Sequence, residues 1–181
     1  MITAKKVSIK AKSFRSIKKL YQQAFPKNEK LQIWLLVLMS LRKCVDFYAF
    51  YDKNEFYGFT YLIHYKKMTF VLYLATDSSV RSKGYGAGIL DWIEKAYQEN
   101  CIVLNIEAVS ENYDNFEQRV KRQKFYFNNG FQDAGYILYD KKDIYDVLST
   151  KNSASFSEDE YKNLFRRFSL GFITINLVRK N

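Results

Sequence analysis

The stretch Ala75-Thr76-Asp77-Ser78-Ser79-Val80-Arg81-Ser82-Lys83-Gly84-Tyr85-Gly86-Ala87-Gly88 joins an apolar run at residues 70–74 to an amphipathic one at residues 89–97. It reads as strand, glycine-rich turn, helix. Closely spaced glycines let successive backbone N–H groups converge on one point, and the helix that follows adds the positive end of its dipole. The junction is therefore suited to hold a phosphate or pyrophosphate.

Outward from this junction, Ile89, Leu90, Ile93, Ala96 and Tyr97 form one stripe of the helix, while Asp91, Glu94, Lys95 and Gln98 face water. Residues 101–109 read as the next strand, and a strand–helix–strand unit of this length implies a right-handed parallel crossover. Residues 68–75, apolar almost throughout, read as a central strand covered on both faces. Before it, residues 45–51 and 56–64 form an antiparallel hairpin around Asp52-Lys53-Asn54-Glu55.

At the N-terminal end the pattern predicts a first strand at residues 7–11 and a helix over 14–25, capped by Ser13 and ended by Pro26. A second helix, capped by Asn28, runs to about Arg42. With Trp34, Leu36 and Val37 it is apolar around most of its surface, so it is expected to be buried on two sides or to wall a pocket. Downstream, Asp114-x-x-Glu117 predicts a capping box opening a helix that Gly130 ends, and Phe131 resumes extended structure. Residues 135–139 read as a strand and 151–155 as a loop. Ser157-x-x-Glu160 is a second capping box, opening a helix to about Gly171, and residues 172–178 form a terminal strand able to pair within or between chains.

The expected architecture is one α/β domain over residues 1–181, with a core at 1–140 and a C-terminal helix and strand part at 141–181. Its 181 residues, 48% hydrophobic and 27% charged, can bury about two-thirds of the unfolded surface. Fifteen Tyr, fifteen Phe and two Trp supply core and pocket walls. The formal charge of +10 favours anionic partners, but the basic groups are scattered along the chain, which points to a solvated basic surface rather than a nucleic-acid patch. Cys44, Cys101 and the sole histidine, His64, have neither disulfide-scaffold nor metal-site spacing. The most apolar segment, residues 33–39, is far short of the ~20 residues that span a bilayer, and no apolar leader is apparent. A cytoplasmic protein without membrane attachment or metal is expected.

Spacing separates the phosphate-binding loops. The mononucleotide P-loop is absent, and the dinucleotide fingerprint fails because Ile89 stands where its third glycine belongs. Arg81-Ser82-Lys83-Gly84-Tyr85-Gly86 does match the Arg/Gln-x-x-Gly-x-Gly/Ala motif, and Tyr126-Phe127-Asn128-Asn129-Gly130-Phe131 matches a Tyr-x-x-x-Gly-Phe pattern after the next strand. With these two motifs in this order, about the first 140 residues resemble the GNAT superfamily of acetyltransferases, including uncharacterised bacterial members.

That resemblance implies a mixed, mainly antiparallel sheet with a splayed parallel strand pair, flanked by helices. It implies acetyl-CoA as co-substrate, its pyrophosphate held by Arg81, Ser82, Lys83, Gly84, Tyr85, Gly86 and Ala87, and its pantetheine arm paired with Leu74, Ala75 and Thr76. Tyr126 corresponds to the general acid beside the sulfur, with Arg122 one helical turn away and Arg119 about two; both arginines are in reach of an anionic neighbour or the coenzyme phosphates. Glu107 alternates with Val103 and Asn105 near the C-terminal end of its strand, where α/β sheets place ligands, and is the candidate base. Asn105 and Glu29 follow it, and His64 reads as structural.

The expected reaction is transfer of acetyl to a primary amine of a small molecule or peptide, by direct attack in a ternary complex. Neither cysteine sits in a nucleophile arrangement. The resemblance implies acceptor walls at residues 25–42 and 47–61, which are rich in aromatic residues and suit an acceptor with an apolar portion, while the basic surface disfavours polycations. Two other readings share much of this sequence: a non-catalytic acyl-CoA sensor or partner-binding protein, and a basic RNA- or ribosome-associated module. A homodimer is compatible with the terminal strand.

Overall fold

The computed structural model describes residues 2–11, 13–77, 84–140, 143–150 and 156–180. In chain order the elements are β1 (Ile2–Lys6), α1 (Phe14–Ala24), α2 (Ile33–Met39), β2 (Val45–Asp52), β3 (Glu55–Tyr65), β4 (Met68–Thr76), α3 (Tyr85–Ala96), β5 (Cys101–Glu107), α4 (Phe116–Asn128), β6 (Phe131–Asp140), β7 (Asp143–Thr150), α5 (Glu158–Phe168) and β8 (Asn176–Arg179). The strand order is β1-β2-β3-β4-β5-β7-β6-β8. The described ladders are antiparallel apart from β4 with β5, so the mixed α/β sheet with one parallel pair is as expected. Two compact units are distinguished, Met1–Ile63 with Val71–Ile93, and His64–Phe70 with Glu94–Asn181.

In the first unit, β2 and β3 form the expected hairpin. Lys53 and Asn54 both take positive φ (46° and 73°), the pattern of a primed turn whose twist matches that of the strands. The first strand lies earlier than the pattern suggests, at Ile2–Lys6 against β2. Residues 8–11 turn instead, because the Ser8 carbonyl and hydroxyl accept the N–H groups of Ala11 (3.0 Å) and Lys10 (3.3 Å).

The second helix is also shorter than its apolar pattern suggests. Sheet and helix tyrosines claim the backbone ahead of it: the hydroxyls of Tyr73 and Tyr21 donate to the carbonyls of Glu29 (2.7 Å) and Leu31 (3.0 Å). The helix therefore starts at Ile33. Tyr61 anchors it by donating to the Leu36 carbonyl at 3.0 Å, and Leu36 is its one buried side chain. Trp34 and Leu38 are 63% and 54% exposed, so burial on two sides is not what forms. The unit's interior is aromatic, with edge-on pairs such as Tyr21–Tyr73 (5.0 Å) and Phe47–Tyr61 (5.1 Å).

In the second unit, Met68, Thr69 and Phe70 pair in parallel with Cys101, Ile102 and Val103. β7, unanticipated from the pattern, pairs with β5 on one side and β6 on the other. The strand foreseen at residues 135–139 is part of the longer β6, whose register shifts between Asp133 and Ile137 where Gly135 takes φ 78°. β8 is confined to Asn176–Arg179 and pairs with β6 of its own chain.

The capping box of α5 forms as expected: the Ser157 hydroxyl accepts from the Glu160 N–H and the Glu160 carboxylate accepts from the Ser157 N–H. Tyr161, Leu164, Phe165 and Phe168 bury this helix, with Phe165 4.9 Å from the Phe70 ring. The box expected at Asp114 does not form. α4 starts after Asn115, whose side chain is engaged elsewhere, and ends as foreseen at Gly130 (φ 87°). Among the described residues, no helix is long and apolar enough to cross a membrane.

Candidate functional site

In the first unit, β4 delivers Leu74, Ala75 and Thr76 to the start of the glycine loop, with Ala75 buried and its two neighbours half-buried. Gly58 of β3 allows this strand end to approach closely. A Cβ there would stand 2.7 Å from the Ala75 carbonyl oxygen and 3.0 Å from Ile89 Cδ1. The N–H of Asp77, just past β4, donates to the Tyr57 carbonyl at 2.7 Å. Arg81, Ser82 and Lys83 lie outside the described residues.

On the far side of the loop, Gly84 takes φ 78°, a left-handed conformation that favours glycine, and α3 begins at Tyr85. The Gly84 carbonyl accepts the Gly88 N–H at 2.9 Å, closing the first turn. The N–H groups of Tyr85, Gly86 and Ala87 belong to the part of a helix that has no intrahelical acceptor, the kind of donor that anion sites use. Gly88 has a packing reason: a Cβ there would lie 2.5 Å from Ile2 Cδ1. The Tyr85 hydroxyl donates to Asp52 Oδ2 at 2.9 Å, and its ring stacks on Tyr57 at 4.2 Å.

In the second unit, Glu107 ends β5 and sits in a network of donors. Arg119 Nη2 lies 3.1 Å from Oε1, Arg122 Nη1 lies 2.5 Å from Oε2, and Asn115 Nδ2 donates to Oε1 at 3.2 Å. Arg119, only 5% exposed, also donates to Asn115 Oδ1 (2.7 Å) and the Ala108 carbonyl (2.9 Å), and stacks over Tyr113 at 3.6 Å. Its guanidinium is committed to holding α4 on the end of β5. Asn105 accepts from the Tyr161 hydroxyl at 2.9 Å, and the Glu29 carbonyl from Tyr73. His64 pairs through Nδ1 with Thr69 Oγ1 (3.0 Å) and stacks on Tyr97 (4.8 Å).

Tyr126, one turn beyond Arg122 on α4, packs its ring against Phe125 (5.2 Å) and Phe131 (5.7 Å). Burial pushes its hydroxyl above the usual tyrosine range, with Arg122 opposing. The phenol thus stays protonated at neutral pH and is chemically a proton donor.

The structure brings Glu107 together with Arg122 and, separately, Thr76 together with the start of α3. Tyr57, Gly58 and Asp52 are participants that the sequence reading passed over. A glycine inside a strand pattern was the available signal, since it marks close backbone approach.

No family model and no curated protein matches the sequence. Solved structures do match. A protein of the GNAT acetyltransferase family from Bacteroides thetaiotaomicron superposes with a TM-score of 0.73 at 18% identity, over 94% of this chain and 99% of that one. The chain has the GNAT fold. The ribosomal-protein-S18-alanine N-acetyltransferase of Escherichia coli shares this fold at TM-score 0.64 and 12% identity, over 87% of this chain and 98% of its own. An acetyltransferase of Bacillus subtilis in complex with CoA does so at 0.59 and 15%, over 83% and 98%. The Arg81-x-x-Gly84-x-Gly86 and Tyr126-to-Phe131 motifs thus occur in a chain with GNAT architecture, the first between β4 and α3 and the second from α4 into β6.

Proposed function

We propose that this chain transfers an acetyl group from acetyl-CoA to a primary amine. The observation that carries the reading is the start of α3, where Gly84 turns left-handed and the end of the Arg-x-x-Gly-x-Gly sequence forms the first helical turn in a chain with the GNAT fold. Those N–H groups would bind the pyrophosphate, with Arg81 and Lys83 adding positive charge and Ser82 a hydroxyl. The backbone of Leu74, Ala75 and Thr76 would pair with the pantetheine amides as an added strand does.

In this reading the neutral amine attacks the thioester carbonyl, a C–N bond forms, and collapse of the tetrahedral adduct breaks the C–S bond. Tyr126 supplies the proton that the departing thiolate takes up, and the proton shed by the attacking nitrogen passes through solvent and restores the phenol. Glu107 has donors on both oxygens, which favours it as the anchor that holds α4, and so Tyr126, over its use as a base. Arg122 then belongs to that anchor before it belongs to the coenzyme. One neighbour is named for an alanine of a ribosomal protein, so the acceptor class spans peptide as well as small-molecule amines. The reading suits the coenzyme-rich bacterial cytoplasm.

The test is calorimetric titration with acetyl-CoA, followed by an amine panel scored by release of coenzyme A thiol. Saturable binding and an acetylated product are expected. No binding at millimolar coenzyme would end the reading; binding without product would favour a sensor. With an active acceptor in hand, Tyr126→Phe should lower kcat about 100-fold at unchanged coenzyme affinity. Glu107→Gln, which removes the ion pairs to Arg119 and Arg122, should lower the melting temperature and leave kcat within a few-fold of wild type; a loss of about 100-fold in kcat at an unchanged melting temperature would make Glu107 the base.

A further inference from the structure

Tyr57 touches the chain on both sides of the glycine loop. Its carbonyl accepts the Asp77 N–H at 2.7 Å, where β4 has just ended. Its ring stacks on Tyr85 at 4.2 Å and 30°, where α3 begins. Tyr85 is held from a second direction by its hydrogen bond to Asp52 Oδ2 at 2.9 Å, at the turn of the β2–β3 hairpin. The contact leaves its mark on both partners: the bond to Tyr85 is the main reason the Asp52 carboxyl lies below its usual range, and the bond to Asp52 raises the Tyr85 hydroxyl.

Neither contact is needed to make the hairpin or the helix. Tyr85 is the first residue of α3, where a side chain has no turn before it to pack on. Asp52 could serve the turn without Tyr85, since turn residues act through their own backbone. Tyr57 is 2% exposed and its hydroxyl has no hydrogen-bond partner among the described residues, a burial that costs free energy and that phenylalanine would avoid. What these side chains share is contact at Tyr85, on the exit side of the loop, while the Tyr57 backbone meets Asp77 on the entry side.

We propose that Asp52, Tyr57 and Tyr85 are positioning residues for the coenzyme, forming a clamp that sets the start of α3 at the register in which its N–H groups meet the pyrophosphate. The inference rests on the acetyl-CoA reading above and adds residues from the hairpin to it. An anion site made of backbone N–H groups is only as good as its fixed geometry: a loop that populates the competent arrangement for a tenth of the time binds ten times more weakly. The clamp would act on affinity for the donor and leave the chemical step alone.

The experiment measures the dissociation constant of coenzyme A by calorimetry for wild type, Asp52→Asn, Tyr85→Phe and the double variant, with thermal melts of each. Tyr85→Phe keeps the stack on Tyr57 and removes only the hydrogen bond, so folding is preserved. Each single variant should bind about tenfold more weakly, the equivalent of about 1.4 kcal/mol, and the double variant no more weakly than either, because the two changes break one interaction. Where an acceptor is known, KM for acetyl-CoA should rise by the same factor at constant kcat. Variants that bind coenzyme A as wild type does, or losses that multiply in the double variant, would overturn the clamp alone. A wild type that binds no coenzyme A would overturn the functional reading on which it rests.

Discussion

Arg119 shows how one buried charge organises a segment that has no regular structure. Its three guanidinium nitrogens reach Glu107, the Asn115 amide oxygen and the Ala108 carbonyl, and its flat face covers Tyr113, so residues 107–115 close around it. Removing it would take this donor from the Asn115 amide oxygen and the Ala108 carbonyl and would leave Glu107 with only Asn115 and Arg122. Arg119→Met should therefore destabilise the protein by about 3 kcal/mol in denaturant unfolding, and Arg119→Lys should recover only part of that, because an ammonium cannot fork to three sites. A loss within the error of the measurement would show that the network contributes nothing. The sequence placed Arg119 two turns before Tyr126 and left its partner open, since helical spacing gives the face a side chain lies on but not the strand end it meets.

At the scale of elements, two serines looked alike as helix caps and behave differently. Ser157 makes the reciprocal box with Glu160 at the start of α5. Ser13, ahead of α1, makes no cap bond and pairs its hydroxyl with that of Tyr51 at 2.6 Å. Ser157→Ala should cost about 1 kcal/mol, read as a lower melting temperature, whereas Ser13→Ala removes one hydroxyl pair and no cap. Likewise Asn115 could have served the start of α4 but spends its amide on Glu107 and Arg119. Capping patterns state which residues are able to cap; a tertiary partner within reach decides whether they do.

For the whole molecule, the aromatic composition has a consequence for pH. Burial raises the hydroxyls of Tyr21, Tyr57, Tyr61, Tyr73 and Tyr161 above the usual tyrosine value, and in the unfolded chain they return to it. The folded protein therefore holds these protons more tightly than the unfolded one. Their stabilising effect is present in full below pH about 10 and is lost as pH rises beyond it, because the unfolded state alone ionises. The melting temperature should be level through pH 9 and fall steeply above about pH 10, with tyrosinate absorbance appearing together with unfolding. Tyrosinate that appears well before unfolding would show these hydroxyls to be accessible.

The β4–loop–α3–β5 unit was legible in the sequence because every signal in it is local: an apolar run, glycines where the chain must turn left-handed, and a 3.6-residue stripe leading into the next strand. The GNAT fold followed from that unit and the Tyr126-to-Phe131 motif. β7 was not legible, since a strand inserted between β5 and β6 is defined by its neighbours, and Asp143, Tyr145 and Asp146 interrupt the apolar pattern that would have announced it. α2 is shorter than its apolar pattern and buries one side chain, because the hydroxyls of Tyr21 and Tyr73 took the backbone that would have extended it. By itself the sequence determined the β4–loop–α3–β5 succession and the hairpin before it, because those depend on neighbours along the chain. Only the tertiary structure decided that Glu107 pairs with Arg119 and Arg122 and that Tyr57 contacts both Asp77 and Tyr85, because hydrogen bonds and ring contacts between remote residues depend on distances that no spacing in the chain encodes.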